Sequence, residues 1–417
     1  MSAAGPLLII GASYAGTRIA QTARELGYDG PIVLAGDEIH APYQRPPLSK
    51  GVLGGRVLPE QLPLWGDDFF RRNAIDWRPG HRAVRIDPGA HEVEFDDGST
   101  MTYRTLALTS GARCRSLAIP GAELEGVHGL RNLDDATRLR SALSEASRLC
   151  VIGGGFIGLE VAASARQLGL DVTVIEALPR LLARALTPAL SGFVSREHQS
   201  RGVAILTGAQ VRALQGIAGR VRAVELADGR RLACDLVVVG VGAQPNEEPA
   251  LRAGISTGNG ILTDGLGRTS APDVLAAGDV ARMSFDPGHG EPALALRLES
   301  VHAANEGARA AASGLVGRAR PFGGVPWFWS DQFDLKLQIA GLAQETDMAV
   351  LRGDPDAGRF SVFHLRQGRV AAVQSVNRPG EHMLARKWIE SGVRIDSATL
   401  ADRGVDLQQI TQGASRP

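Results

Sequence analysis

One unit occurs twice in this chain of 417 residues: a short apolar strand, a glycine turn, a helical stretch and a second strand. Pro6-Leu-Leu-Ile-Ile-Gly11 runs into Gly11-Ala-Ser-Tyr-Ala-Gly16, then a helical segment Thr17–Leu26 and the strand Pro31-Ile-Val-Leu-Ala35. About 140 residues later Leu149-Cys-Val-Ile-Gly153 repeats the plan. There the turn is Gly153-Gly-Gly-Phe-Ile-Gly158, the helix Leu159–Leu168 and the strand Val172-Thr-Val-Ile-Glu176. Two parallel strands need a crossover, and the helix supplies it, so each copy is a βαβ unit. The period is far too long for a solenoid and implies two domains of one fold class.

A glycine turn that opens a helix has a physical use. The first N–H groups of the helix are unpaired and its dipole is positive there, so a pyrophosphate can sit on it where the backbone approaches closely. The second copy has Gly153, Gly155 and Gly158, and its strand ends in Glu176, 18 residues after Gly158. An acid at that place can bind both hydroxyls of an adenosine ribose and repels a 2′-phosphate. NADH is favoured over NADPH, and Arg180 and Arg184 nearby leave the choice open. The first copy has Gly11 and Gly16 but Ser13 at the middle position. Gly36 aligns with Glu176, so Asp37 is the expected ribose ligand and Glu38 the fallback.

Between the copies lie β-rich stretches. Ala83–Asp87, His91–Phe95 and Leu106–Thr109 alternate around the turn Asp96-Asp97-Gly98, and Val221–Leu226 and Leu236–Gly240 repeat that around Asp228-Gly229. From about Pro321 the texture changes, with Trp327, Phe328, Trp329 and the strand-like segments Leu335–Ile339 and Phe360–Leu365, ending in a polar tail. Tyr43-Gln-Arg-Pro-Pro-Leu-Ser-Lys50 is an extended loop fixed by two prolines, which taken alone reads as a surface turn. Thr269–Asp279 sets Gly278-Asp279 at the end of an apolar strand, the sheet edge where ligands bind. Lys+Arg and Asp+Glu both number 45, so no global field steers nucleic acid. Cys114, Cys150 and Cys234 form no CxxC and read as buried structural thiols. No apolar run suits a signal peptide or a membrane span, and the expected location is cytoplasmic.

Taken together these residues resemble the FAD-dependent pyridine-nucleotide oxidoreductases. The closer resemblance is to the ferredoxin reductases that serve bacterial Rieske oxygenases and cytochrome monooxygenases. It runs from about residue 6 to about residue 390. Its markers are Arg45–Lys50, Leu130-Arg-Asn-Leu-Asp-Asp-Ala136, Gly153–Glu160, Gly240-Val-Gly-Ala-Gln-Pro-Asn246, Ala277-Gly-Asp279, Arg297-Leu-Glu-Ser-Val301 and Trp327–Gln332. The resemblance implies an α/β architecture like glutathione reductase: two Rossmann-like dinucleotide-binding domains and a C-terminal α+β domain. The FAD-binding domain would comprise 1–115 and 245–320, the NADH-binding domain 116–244, and the third domain 321–417.

It also implies roles. Gly11, Ser13, Ala15, Gly16, Asp37, Arg45, Lys50, Ala83, Arg131, Asp279, Val301 and Trp329 would bind FAD. Gly153, Gly155, Gly158, Glu176, Arg184 and Gly242 would bind NADH. Lys50 near the flavin N5 edge and Glu160 near the nicotinamide would be the catalytic pair. No cysteine lies in His40–Gly51, so electrons would leave for an external acceptor, a 2Fe-2S ferredoxin, over a rim including Lys336 and Arg297. Neither nucleic acid nor membrane is an expected partner, and a homodimer is an admissible assembly. Competing readings keep the flavin chemistry with rubredoxin, monodehydroascorbate or a quinone as acceptor, or make the chain an NADH sensor resembling apoptosis-inducing factor.

Overall fold

The computed structural model describes residues 5–344 and 346–413; the end of the expected polar tail lies outside them. The chain divides into two compact units. The first runs to Gln44 and adds Pro63–Arg113 and Gln244–Phe328; the second comprises Arg45–Leu62, Cys114–Ala243 and the chain from Trp329 on.

In the first unit a five-stranded sheet runs Val274–Ala276, Thr105–Leu108, Leu7–Ile10, Ile32–Gly36, Ile75–Pro79, with every neighbour parallel. The first four strands are buried along their whole length, as a parallel sheet covered on both faces requires. Alternation sorts their side chains. Leu7, Ile9, Leu34 and Ala107 pack on Ile19, Ala20, Ala304, Ala308 and Ala311, from the helices Tyr14–Glu25 and Val301–Leu315. Leu8, Ile10, Val33 and Leu106 pack on Ile86, Val93 and Phe95, from an antiparallel sheet of Ala83–Asp87, Glu92–Phe95 and Thr100–Thr102. Each buried Leu or Ile is worth about 1.5–3 kcal/mol.

The second unit repeats this order: Val127–His128, Leu236–Val239, Arg148–Ile152, Asp171–Glu176, Val203–Thr207, again all parallel. Its antiparallel sheet is Val211–Ile217, Arg220–Leu226 and Arg231–Ala233. From Trp329 on, the same unit carries a further sheet, whose strands in order are Trp327–Gln332, its first two residues counted with the first unit, Leu335–Gly341, Arg369–Val376, Arg359–Arg366 and Met348–Asp354. The helix Pro379–Ser391 seats Trp388 against Phe363 on it, ring centroids 6.2 Å apart. The helix Pro188–Ser200 meets the sheet edge-on through Phe193 and Phe360, at 5.0 Å.

Two sequence expectations shift. The cradle helices begin at Tyr14 and Phe156 rather than at Thr17 and Leu159. The last glycine of each motif is therefore inside the first helical turn. A Cβ on Gly16 would lie 2.0 Å from the Gly11 carbonyl oxygen, and one on Gly158 2.2 Å from that of Gly153. Thr105–Leu108 and Leu236–Val239 do not belong with the alternating strands around the Asp-Gly turns; they are parallel central strands. Their unbroken apolar runs bury both faces, a pattern that period-two reading cannot separate from a neighbouring hairpin. No described helix is long and apolar enough to cross a membrane.

Candidate functional site

In the first unit, Gly11 has φ +111° and a Cβ there would be 2.2 Å from the Thr109 carbonyl oxygen. Only glycine allows both this conformation and this approach. The helix that follows has no acid in its first turn, and its N-cap Ser13 makes no side-chain capping bond. No side-chain carboxylate of its own first turn therefore offsets the positive end of this helix. Gly278 packs against this turn, where a Cβ would be 3.0 Å from that of Ala15, and it sets Asp279 beside it in a short 3₁₀ turn, Gly278–Val280. Glu38 accepts a 2.5 Å hydrogen bond from the Tyr43 hydroxyl, whereas Asp37 is exposed. Val301 opens its helix as expected, capped by Ser300, whose hydroxyl accepts from Ala303 N at 3.0 Å. Ala83 starts its strand half-buried.

The second unit builds the same cradle with different chemistry. Gly153 has φ +110°, and a Cβ would be 2.4 Å from the Gly240 carbonyl oxygen. Gly155 is the N-cap of Phe156–Gln167, and above it a Cβ would meet nothing nearer than 3.9 Å. Glu176 closes the loop: one oxygen accepts from Gly154 N and the other from Leu178 N, both at 2.7 Å. A carboxylate has about four acceptor sites, so capacity is left for two ribose hydroxyls. Arg180 is turned inward, donating to the carbonyls of Leu186 and Ala183 at 2.6 and 2.7 Å. Arg184 is exposed, as is Gly242.

Also in the second unit, Leu48–Val52 forms a π-helical turn, with Val52 N donating to the Pro47 carbonyl five residues back. Such turns re-aim side chains at functional sites. Here the turn presents Ser49 and Lys50 to Glu160. Ser49 Oγ donates to Glu160 Oε2 at 2.5 Å, and Lys50 Nζ lies 3.2 Å from Oε1. Ser164, one helical turn after Glu160, donates to the Ser49 carbonyl at 2.8 Å and pins the turn. Ser330 Oγ donates to Glu160 Oε1 at 2.6 Å. Lys50 also reaches Asp331 at 3.7 Å. Glu160 is only 3% exposed. Burial pushes its carboxyl above the usual range, opposed by Lys50, Ser330 and Ser49. Arg45 donates to the Arg131 carbonyl at 2.9 Å. The segment Leu130–Ala136 reads as a capping box, with Asn132 accepting from Asp135 N at 2.8 Å.

A family model described as pyridine nucleotide-disulphide oxidoreductase matches residues 5–308, across both cradles. The chain belongs to this family. A second model, reductase C-terminal, matches residues 327–411. The chain is 42% identical over 396 residues to a probable ferredoxin reductase CtmF of Castellaniella defragrans, covering 94% of this chain and 96% of that one. It is 42% identical over 402 residues to rhodocoxin reductase of Rhodococcus erythropolis, covering 96% and 93%. The solved covalent putidaredoxin reductase–putidaredoxin complex matches with a TM-score of 0.94 at 36% identity, over 100% of both chains.

As a member of this family the chain is an oxidoreductase whose cofactors are FAD and NAD(H). Its residues fit both. Each cradle is closed by glycines that a Cβ would block, and each leaves a helix N-terminus toward a pyrophosphate. Of the residues expected at FAD, the first unit holds Gly11, Ser13, Ala15, Gly16, Asp37, Ala83, Asp279 and Val301, and the second holds Arg45, Lys50, Arg131 and Trp329.

The sulfurs lie elsewhere. Cys150 and Cys234 are neighbours in the core under the antiparallel sheet of the second unit, although 84 residues separate them in sequence. Their mutual hydrogen bond, with burial, pushes the Cys150 thiol far up. Cys114 is half-buried, and burial raises its thiol as well. Arg297, expected on a charged rim, is 11% exposed and paired with Glu299, so it supplies no free surface charge; Lys336 is exposed. Sequence reasoning missed His198, Gln332, Ser330 and Ser49 as partners of the Glu160 centre. The last three sit inside motifs it had singled out, but nothing in the spacing signals His198.

Proposed function

We propose that this chain is an NADH:ferredoxin oxidoreductase. It passes a hydride from NADH to FAD and then single electrons to a 2Fe-2S ferredoxin that supplies a Rieske oxygenase or a cytochrome monooxygenase. The observation that carries the reading is the pair of half-buried Lys50 and buried Glu160, held in the same unit as a glycine cradle that ends in an acid. The likeness to the probable ferredoxin reductase CtmF and to rhodocoxin reductase supports it.

FAD, when bound, supplies a centre that takes up a hydride and gives up electrons one at a time. The protein does the rest. Gly11, Ser13, Ala15 and Gly16 would hold its pyrophosphate on the first helix N-terminus, with Asp37 on the adenosine ribose, Ala83 at the adenine, Asp279 on the ribityl chain and the Val301 amide at the flavin pyrimidine end. Gly153, Gly155, Gly158 and Gly242 admit NADH, and Glu176 binds its ribose. Arg180 is occupied by carbonyls, so Arg184 alone of that pair is left to attract a 2′-phosphate, and Glu176 repels it. NADH is accordingly preferred to NADPH. Lys50 keeps an ammonium donor in place at the reacting edge, and Glu160 fixes its position and orients the nicotinamide.

The acceptor is an acidic ferredoxin attracted by cations that include Lys336, and the protein works in the cytoplasm as a monomer or homodimer. Raising ionic strength is expected to slow ferredoxin reduction while leaving ferricyanide reduction unchanged, because only the protein partner is steered. An equal response of both rates would remove the electrostatic dock. Faster turnover with rubredoxin, monodehydroascorbate or a quinone than with any 2Fe-2S ferredoxin would replace the acceptor.

A further inference from the structure

The Glu160 centre does not end at Ser330. Residues two apart on a strand share a face, and Gln332, on the face of Ser330, donates through Nε2 to Ser330 Oγ at 3.2 Å. Its other amide atom, Oε1, lies 2.9 Å from His198 Nε2. His198 belongs to the helix Pro188–Ser200. Ser330, Gln332 and His198 are each 0% exposed. A line of three buried side chains thus joins that helix to the carboxylate beside Lys50.

The line has a direction. Burial lowers the His198 pKa, so the ring is neutral and carries one N–H. Its Nδ1 is buried with no hydrogen-bond partner. A hydrogen on Nδ1 would be an orphaned buried donor, and the Nε2 lone pair would face the lone pairs of Gln332 Oε1. A hydrogen on Nε2 avoids both: Nδ1 is then an unpaired acceptor, which proteins bury more readily than an unpaired N–H, and the Nε2–Oε1 contact becomes a hydrogen bond. With Nε2–H donating to Oε1, the Gln332 amide must turn its NH₂ toward Ser330. The Ser330 oxygen is then an acceptor, and its one hydrogen goes to Glu160 Oε1. Were the amide reversed, its oxygen would take the Ser330 hydrogen and Glu160 would lose that donor. The tautomer of one histidine therefore sets the polarity of the whole line, and consecutive bonds aligned this way reinforce one another.

We propose that Ser330, Gln332 and His198 are positioning residues that hold Glu160 as a carboxylate beside Lys50, through a hydrogen-bond line whose every donor points toward it. The charged groups at this carboxylate are Lys50, at 3.2 Å from the π-turn, and Asp331, which shares Lys50 at 3.7 Å. Ser49 donates to the other oxygen from the same turn as Lys50. Without the line, Glu160 would take up a proton at higher pH and Lys50 would lose its fixed partner. The inference rests on the reading of Lys50 and Glu160 as the pair at the reacting edge, but the protonation of Glu160 can be measured without turnover.

The test is infrared titration of the FAD-loaded protein, with the carboxylic C=O band of Glu160 identified by its loss in Glu160→Gln. Ser330→Ala is expected to move the appearance of that band to higher pH. His198→Phe, close in shape and unable to donate, moves it the same way by less, and Ser330→Thr restores the parental titration. In ¹⁵N-histidine-labelled protein the His198 ring is expected to report a hydrogen on Nε2. An unchanged Glu160 titration in whichever of Ser330→Ala and His198→Phe folds, or a hydrogen on Nδ1, overturns the proposal. If the bands move while NADH-dependent flavin reduction does not, the line stands and the role assigned to Lys50 and Glu160 falls.

Discussion

The two glycine cradles are copies in backbone and opposites in what they do with charge. Gly11 N donates to the Ala35 carbonyl at 2.7 Å and Gly153 N to that of Ile175 at 2.8 Å; Thr109 N and Gly240 N then return to Ile10 and Ile152 at 2.8 and 2.7 Å. Sheet order, antiparallel flank and both blocking glycines correspond. Beyond the backbone they diverge. At the end of the second strand, one copy has Gly36, where a Cβ would be 2.9 Å from that of Ala12. The other has Glu176 holding Gly154 N. In the middle of the loop one has Ser13, the other Gly155 under open space. A scaffold fixed by glycine sterics can therefore be duplicated intact, while the few side chains around it decide which dinucleotide stays and which comes and goes.

The largest expected effect comes from attacking what the copies share. Gly11→Ala and Gly153→Ala each set a Cβ less than 2.5 Å from a carbonyl oxygen at positive φ. Each should cost about 4 kcal/mol or more, seen as a lower midpoint in chemical unfolding or as failure to fold. Equal losses would confirm that the cradles are structural equivalents; a neutral Gly153→Ala would break the equivalence. Next come the features found on one side only. Lys50→Ala should slow NADH-dependent flavin reduction in stopped flow by about 10²-fold, as loss of one preorganised charged donor does, with little change in flavin content. Flavin loss in proportion to rate would make Lys50 a binding residue instead.

A smaller effect follows from the buried Glu160. Its folded pKa is raised above the ordinary 4.5, chiefly by burial. Its contribution to stability is therefore complete below about 4.5 and is lost as pH rises through the raised folded value. Glu160→Gln does not titrate, so its melting temperature relative to the parent should rise between acid and neutral pH. A flat difference would mean that Lys50 and the two serines cancel the burial penalty. Smallest of all is the loop swap. Ser13→Gly and Gly155→Ser should each change the stability by no more than a surface substitution does, about 0.5 kcal/mol, read from chemical unfolding. Gly155→Ser should also raise the KM for NADH severalfold by narrowing the approach. A large destabilisation by Gly155→Ser would contradict the open space above that loop.

Much of this was legible in the sequence because it depends on local rules. Strand, glycine turn, helix and terminal acid are local, and Gly153, Gly158 and Glu176 stand where their spacing places them. The helix starts were misplaced by three residues because the last glycine of each motif looks like loop but is helix. Leu106–Thr109 reads into the wrong sheet because the partners of the strand Thr105–Leu108, namely Leu7–Ile10 and Val274–Ala276, are far away in the chain. The Glu160 centre was legible only in part. Lys50 and Glu160 came from motifs, whereas His198 is joined to Gln332 across 134 residues by a bond that no periodicity encodes. The thiol pair Cys150 and Cys234 was hidden for the same reason: tertiary neighbours leave no spacing rule.

The most direct test of a split between a resident and a visiting dinucleotide is a crossed one. Flavin content and the KM for NADH are measured together in Asp37→Ala and Glu176→Ala. Losing a charge-assisted hydrogen bond to a ribose costs about 1.5–3 kcal/mol, about 10- to 150-fold in affinity. Asp37→Ala should lose flavin on gel filtration and, once reloaded with FAD, show an unchanged KM. Glu176→Ala should keep its flavin and raise the KM for NADH by that factor, with less discrimination against NADPH. Loss of flavin in Glu176→Ala, or a raised KM in reloaded Asp37→Ala, would contradict the assignment of the two cradles.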